Sequence, residues 1–276
     1  MHHDSVSDAL ESRLEMTETT FVEAGGKRLE YRWIDPAEAF APTLVFLHEG
    51  LGSAGLWRDF PDRLAAATGC GALVYSRAGY GRSDPAELPR PVTFMHEEAK
   101  VLMEVLERTG VWDPILVGHS DGASIAIIQA GMGIEPWPRA LILEAPHVFT
   151  EPHGLASIAA IRDEYAKGDL RARLARHHDH VDIAFRGWND VWLDPEFEAW
   201  NIEEFLPRID CPVLVVQGED DAYGTWRQVE AIQRGCGGPV EVLAVPGGHA
   251  PHREHPHLVL AAMARFVETM GGREGR

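Results

Sequence analysis

The chain has 276 residues, 45% of them hydrophobic, enough to bury one large core, and no stretch approaches the ~18 uninterrupted apolar residues of a membrane span. A formal net charge of -18 at pH 7 excludes nucleic acid as a partner, because that affinity comes from clustered Lys and Arg. Cys70, Cys211 and Cys236 lie far apart without the CxxC spacing of a metal or redox site, which predicts buried, reduced thiols.

The first twenty residues, MHHDSVSDALESRLEMTETT, carry acids where a secretory signal has basic residues and an apolar run, so the expectation is a cytoplasmic protein. TFVEAGGKRLEYRWI then reads as a hairpin turning at Gly25 and Gly26. Apolar runs follow at 43–50, 72–79, 114–122, 140–146, 212–221 and 240–249, with helical stretches between them. Runs apolar at nearly every position predict strands buried on both faces, hence an α/β fold with a mostly parallel sheet between two layers of helices. The stretch 93–110 spaces Met95, Ala99, Leu102, Val105 and Leu106 at helical intervals and stops at Gly110. Between 148 and 206 the alternation breaks, and the text turns helical, aromatic and charged. That stretch is expected to form a helical cap over the C-terminal ends of the strands, where ligands bind in open α/β sheets.

The chemistry centres on Gly118-His119-Ser120-Asp121-Gly122, which falls between an expected strand and an expected helix. That is the setting a G-x-S-x-G nucleophile elbow requires: the glycines allow a tight turn that lifts the serine into exposed, strained geometry. A serine nucleophile needs a histidine base and an acid to orient it, in the chain order Ser, acid, His. Both are present. Glu219-Asp220-Asp221 follow the run at 212–218, and His249 follows two glycines beyond the last run. His252, His255 and His257 come later and read as solvated residues where Pro256 helps begin the final helix.

These residues resemble those of the α/β-hydrolase superfamily, over nearly the whole chain. HEGLGS (48–53) is similar to the family's His-Gly-x oxyanion loop, and SRAGYGRSD (76–84) to its D-x-x-G-x-G-x-S stretch. The resemblance implies an α/β-hydrolase core formed by 1–147 and 207–276, with 148–206 as the inserted helical cap. It also assigns the triad acid to Asp221 through the family's G-x-x-D pattern, with Asp220 and Glu144 as alternatives. The oxyanion hole it implies uses the backbone N–H groups of Gly50 and Asp121. Two positions depart from the family: Glu49 stands where glycine is usual, and Ser76 where aspartate is usual. Neither departure removes a catalytic group.

Asp121 then puts a carboxylate beside a site that must stabilise an oxyanion. A first-turn acid is favoured by the helix dipole, and Arg77 is the expected partner for its charge. Glu49 and Glu144, each ending an expected strand, are candidate substrate-binding residues together with Trp188 and Trp192. Those two indoles and Trp200 have the spacing of one helical stripe. The histidines of RHHDH (176–180) are spaced wrongly for one helix face, so no metal is expected there. The expectation is a cofactor-free serine hydrolase acting on a small-molecule ester, lactone or thioester through Ser120, His249 and Asp221. A C–C bond hydrolase or perhydrolase on the same residues is the enzymatic alternative, and a non-catalytic ligand-binding protein the alternative from another class. Three acids around the site predict a preference for neutral or cationic acyl groups, unless Arg162 or Arg186 supplies a carboxylate site.

Overall fold

The computed structural model describes residues 20–37 and 41–270. The polar N-terminal stretch lies outside the described residues. The expected hairpin is formed by β1 (Thr20–Ala24) and β2 (Lys27–Ile34), and Gly25 and Gly26 turn it at φ 58° and 69°, a region glycine enters without strain. The sheet continues with β3 (Thr43–Leu47), β4 (Gly71–Tyr75), β5 (Pro114–His119), β6 (Ala140–Glu144), β7 (Val213–Gly218) and β8 (Val240–Val245). Its order is β1-β2-β4-β3-β5-β6-β7-β8, antiparallel from β1 to β4 and parallel thereafter. The four strands β4 to β7 are buried at every position, which is why their sequences read as unbroken apolar runs. β8 is an edge strand and only partly buried.

Helices α1 (Phe60–Thr68), α2 (Phe94–Thr109) and α3 (Asp121–Gly131) precede the long insertion between β6 and β7. The insertion carries α4 (Pro152–Lys167), α5 (Leu170–Leu174) and α6 (Val181–Trp192), and an isolated bridge between Phe149 and Asn201 ties its two ends together. After β7 come α7 (Trp226–Gly235), α8 (Pro251–Glu254) and α9 (Pro256–Glu268). Strand periodicity divides the core in two. Leu44, Phe46, Val74 and Val117 pack on one face with Leu64 of α1 and Met263 of α9, while Val45, Leu47 and Leu116 pack on the other with residues of α2, α3 and α7. Among the described residues no helix is long and apolar enough to cross a membrane.

Trp200 departs from the expected stripe. The helix ends at Trp192, because Asp194 and Pro195 start a separate 3-10 turn, with the Asp194 carboxylate accepting the Glu196 N–H. That turn folds Trp200 back to 5.8 Å from the Trp192 ring and stacks it on Phe197.

Candidate active site

The site grows from the ends of β5, β7 and β8. Ser120 joins β5 to α3 at φ 52° and ψ -117°, a conformation that costs a non-glycine residue roughly 1–3 kcal/mol and is tolerated only where its surroundings enforce it. The flanking glycines explain how. A Cβ on Gly118 would press on the Gly122 carbonyl and the Ala123 backbone, and one on Gly122 would collide with the Leu47 carbonyl. The Ser120 N–H donates to the Glu144 carbonyl at 2.9 Å, and its own carbonyl accepts from Ala123 N–H.

The Ser120 hydroxyl lies 2.9 Å from His249 Nε2. On the other side of the ring, His249 Nδ1 is 2.9 and 2.8 Å from the two carboxylate oxygens of Asp221. Gln217 Nε2 and the Tyr223 N–H also donate to that carboxylate. Burial alone would raise the Asp221 carboxyl; the hydrogen bond and charge of His249, with the Tyr223 N–H, outweigh it and hold the group well below the usual carboxylate range. Asp220, the neighbouring alternative, is exposed.

Glu49, Gly50, Ser120, Asp121, Trp188 and Trp192 surround one cavity of about 120 Å³, closed on one side by α4 and α6. A Cβ on Gly50 would strike the Trp188 indole, so only glycine lets the loop after β3 approach this wall. The loop is held from behind by the buried Arg77, which donates to the carbonyls of His48 at 2.5 Å and Glu49 at 3.1 Å. Arg77 therefore does more than face Asp121. Its guanidinium is 4.0 Å from Asp121 Oδ2, the outer edge of an ion pair, and the hydrogen bond to Asp121 Oδ1 comes from Trp192 Nε1 at 3.1 Å. Burial raises the Asp121 carboxyl, against the pull of Arg77 and Trp192.

Two expectations need correction. Glu144 does not line the cavity: it is fully buried and accepts from both the backbone N–H and Nδ1 of His252 at 2.8 Å. His252 is accordingly buried rather than solvated, because it faces this carboxylate and the rings of Trp57 and Phe60. Ser76, at the family's usual aspartate position, donates to Glu30 of β2, so a carboxylate from another strand occupies that place. His178 of RHHDH accepts the Gly81 N–H and reaches the Leu51 carbonyl, a structural tie between the insertion and the core. Among the described residues no group of three or more His, Cys, Asp or Glu is arranged to hold a metal.

Sequence reasoning missed four cavity residues: Leu51 and Ile158, which add to the apolar wall, and two rings beside His249. His147, three positions beyond the end of β6, lies between the rings of Trp192 and His249, and burial pushes its imidazole down to about 3, so it is neutral at physiological pH. Tyr223, two positions after Asp221, packs its ring 4.6 Å from that of His249. For these two rings, nearness to strand ends was the available signal.

The family described as "Alpha/beta hydrolase family" matches residues 44–262. The chain belongs to that family. It is therefore an enzyme of the hydrolase class. It is 28% identical over 243 residues to the "Putative carbamate hydrolase RutD" of Pseudomonas savastanoi pv. phaseolicola, covering 79% of this chain and 90% of that one. The human "Serine hydrolase BPHL" is 23% identical over 186 residues, covering 65% of this chain and 63% of the relative. Among solved structures, an esterase from Exiguobacterium antarcticum has the same fold, with a TM-score of 0.72 and 20% identity over 91% of this chain and 99% of that one.

Proposed function

We propose that the enzyme is a serine hydrolase that cleaves a small acyl compound, a carboxylic ester, lactone or thioester, through an acyl-enzyme. The observation that carries this reading is the continuous chain from Ser120 Oγ through His249 to Asp221, with distances of 2.9 and 2.8 Å, opening onto a cavity. Ser120 Oγ attacks the carbonyl carbon while His249 Nε2 takes its proton, and Asp221 stabilises the imidazolium through Nδ1–H. The oxyanion accepts from the N–H groups of Gly50 and Asp121; the latter opens a helix and so has no partner within it. As the tetrahedral intermediate collapses, His249 returns the proton to the leaving group. Water, deprotonated by the same imidazole, then attacks the acyl-serine and releases the acid.

Cavity size and charge narrow the substrate. A volume of about 120 Å³ suits a group the size of a small ring or short chain. The insertion 148–206 acts as the cap, contributing Trp188 and Trp192 as an apolar wall. Two acids, Glu49 and Asp121, face the cavity, and among the described residues no Lys or Arg lines it. Neutral or cationic acyl groups are favoured accordingly. A C–C hydrolase acting on a dienone acid would need a cation here, but Arg162 and Arg186 are bound to Asn189 and Asp190 on the half-exposed side of the insertion.

The test is a steady-state panel of neutral and amino-substituted esters, lactones, thioesters, carbamates and dienone acids, with Ser120→Ala as control. The expected result is Ser120-dependent turnover of a small ester, lactone or thioester. Turnover confined to dienone acids would replace this reading with the C–C hydrolase, and turnover that survives Ser120→Ala would remove the serine mechanism.

A further inference from the structure

His119, the residue before Ser120, has no part in the mechanism above, yet it touches the loops that carry Glu49–Gly50 and His249. It ends β5, is almost fully buried, and has Nε2 2.6 Å from the carbonyl oxygen of His249. Its other nitrogen, Nδ1, is 3.6 Å from Glu49 Oε2, a charge contact rather than a hydrogen bond. A carbonyl oxygen only accepts, and so does an ionised carboxylate. A neutral ring with a single N–H would therefore turn a lone pair toward one of these oxygens. Only a ring protonated at both nitrogens suits both.

The surroundings carry the matching charge. Across the sheet His119 is in register with Glu144, whose carboxylate also holds His252. The groups facing the ring are Glu49 from the loop after β3, Glu144 from β6, and His249 and His252 from the segment after β8, with Trp57 packed at its edge and Arg253 acting on Glu49. Burial would lower the His119 pKa, but Glu144 and Glu49 outweigh it and raise it to about 9. Burial would likewise raise Glu49; His119 reverses that and holds the carboxyl well below its ordinary value.

We propose that His119 is a positioning residue, a buried imidazolium that clamps the His249 loop and the Glu49–Gly50 loop onto the strand bearing Ser120. The base and one oxyanion donor belong to those two loops, so the clamp sets their geometry relative to the nucleophile, and misplacement by about 1 Å is worth as much as a hundredfold in rate. Loss of one proton puts a lone pair opposite an acceptor and releases one loop. A serine–histidine pair alone gains activity as pH rises and then levels off. With the clamp, activity falls again in alkali.

The kinetic part of the test rests on the serine-hydrolase reading; the spectroscopic part does not. With histidine side chains labelled with nitrogen-15, one ring should remain protonated at both nitrogens near pH 8, where an ordinary histidine of pKa about 6.5 is neutral. It should titrate near pH 9 and vanish from the spectrum of His119→Gln. If every ring is neutral near pH 8, or if the doubly protonated ring survives His119→Gln, the proposal is overturned. On an ester that the enzyme turns over, kcat should decline above about pH 9. His119→Gln should lose that alkaline limb and drop kcat about tenfold near pH 7.5 with KM changed by less than about threefold. A limb that persists unchanged in His119→Gln overturns the clamp, whereas absence of any ester turnover removes the serine-hydrolase reading and leaves the spectrum to decide the protonation.

Discussion

Replacing Asp121 with Asn isolates the charge on the cavity wall. The amide oxygen can still accept from Trp192 Nε1, now at 3.1 Å, so Asp121→Asn removes the negative charge with little change of shape. A substrate ammonium about 6 Å from the carboxylate gains about 2.8 kcal/mol at an effective dielectric near 20. The Arg77 guanidinium, 4.0 Å from Asp121 Oδ2, opposes this; at about 10 Å from the ammonium it offsets about 1.7 kcal/mol. The remaining ~1 kcal/mol corresponds to a preference of roughly sixfold. The assay compares kcat/KM for two aryl esters of equal size, one ending in an ammonium and one in a methyl group, in wild type and Asp121→Asn. The ratio should fall about a hundredfold in the variant, because the full ~2.8 kcal/mol from Asp121 is lost while Arg77 stays and its repulsion of the ammonium is no longer offset. Because burial raises the Asp121 carboxyl, the wild-type preference should also grow as pH rises through its ionisation and fade in acid. An unchanged ratio with both rates lowered equally would refute the electrostatic reasoning and leave Asp121 a purely structural role.

Three further outcomes follow from the same geometry. Gly50→Ala drives a methyl into the Trp188 indole, so kcat/KM should fall about a hundredfold while circular dichroism stays native. Gly122→Ala should lower Tm by about 5 °C or more in a melting experiment, although Gly→Ala inside a helix ordinarily stabilises by roughly 1 kcal/mol, because the added Cβ meets the Leu47 carbonyl. Asp221→Asn should reduce kcat by about 10⁴-fold and Glu144→Gln by far less, measured on one ester; the reverse ranking would move the acid's role to Glu144.

What the sequence made legible follows from what periodicity records. The apolar runs became β3 to β8, most plainly β4 to β7, where burial on both faces leaves few polar positions, and the Gly25-Gly26 hairpin was visible in its turn residues. The elbow, His249 and Asp221 were readable because each sits just past a strand end, where the sheet brings them together. Polar partnerships across the sheet were not readable. His252 and Glu144 are 108 residues apart, and a histidine within PHREHP has no local mark of burial; the hydrogen-bonded contact that buries it exists only once α8 packs against the ends of β6 and β7. For the same reason Asp121 took its hydrogen bond from an indole of the insertion rather than from Arg77, and Glu144 turned away from the cavity. The Asp194-Pro195 turn was a local signal, outweighed by the helical spacing of the three tryptophans.

The central claim, that Ser120 is the nucleophile activated by His249, is tested most directly by a fluorophosphonate probe read by intact-protein mass and peptide mapping. The account predicts one adduct per chain on Ser120, none in Ser120→Ala, and labelling slowed by orders of magnitude in His249→Ala. An adduct on another residue, or a folded protein that hydrolyses esters yet takes up no probe at Ser120, would contradict it.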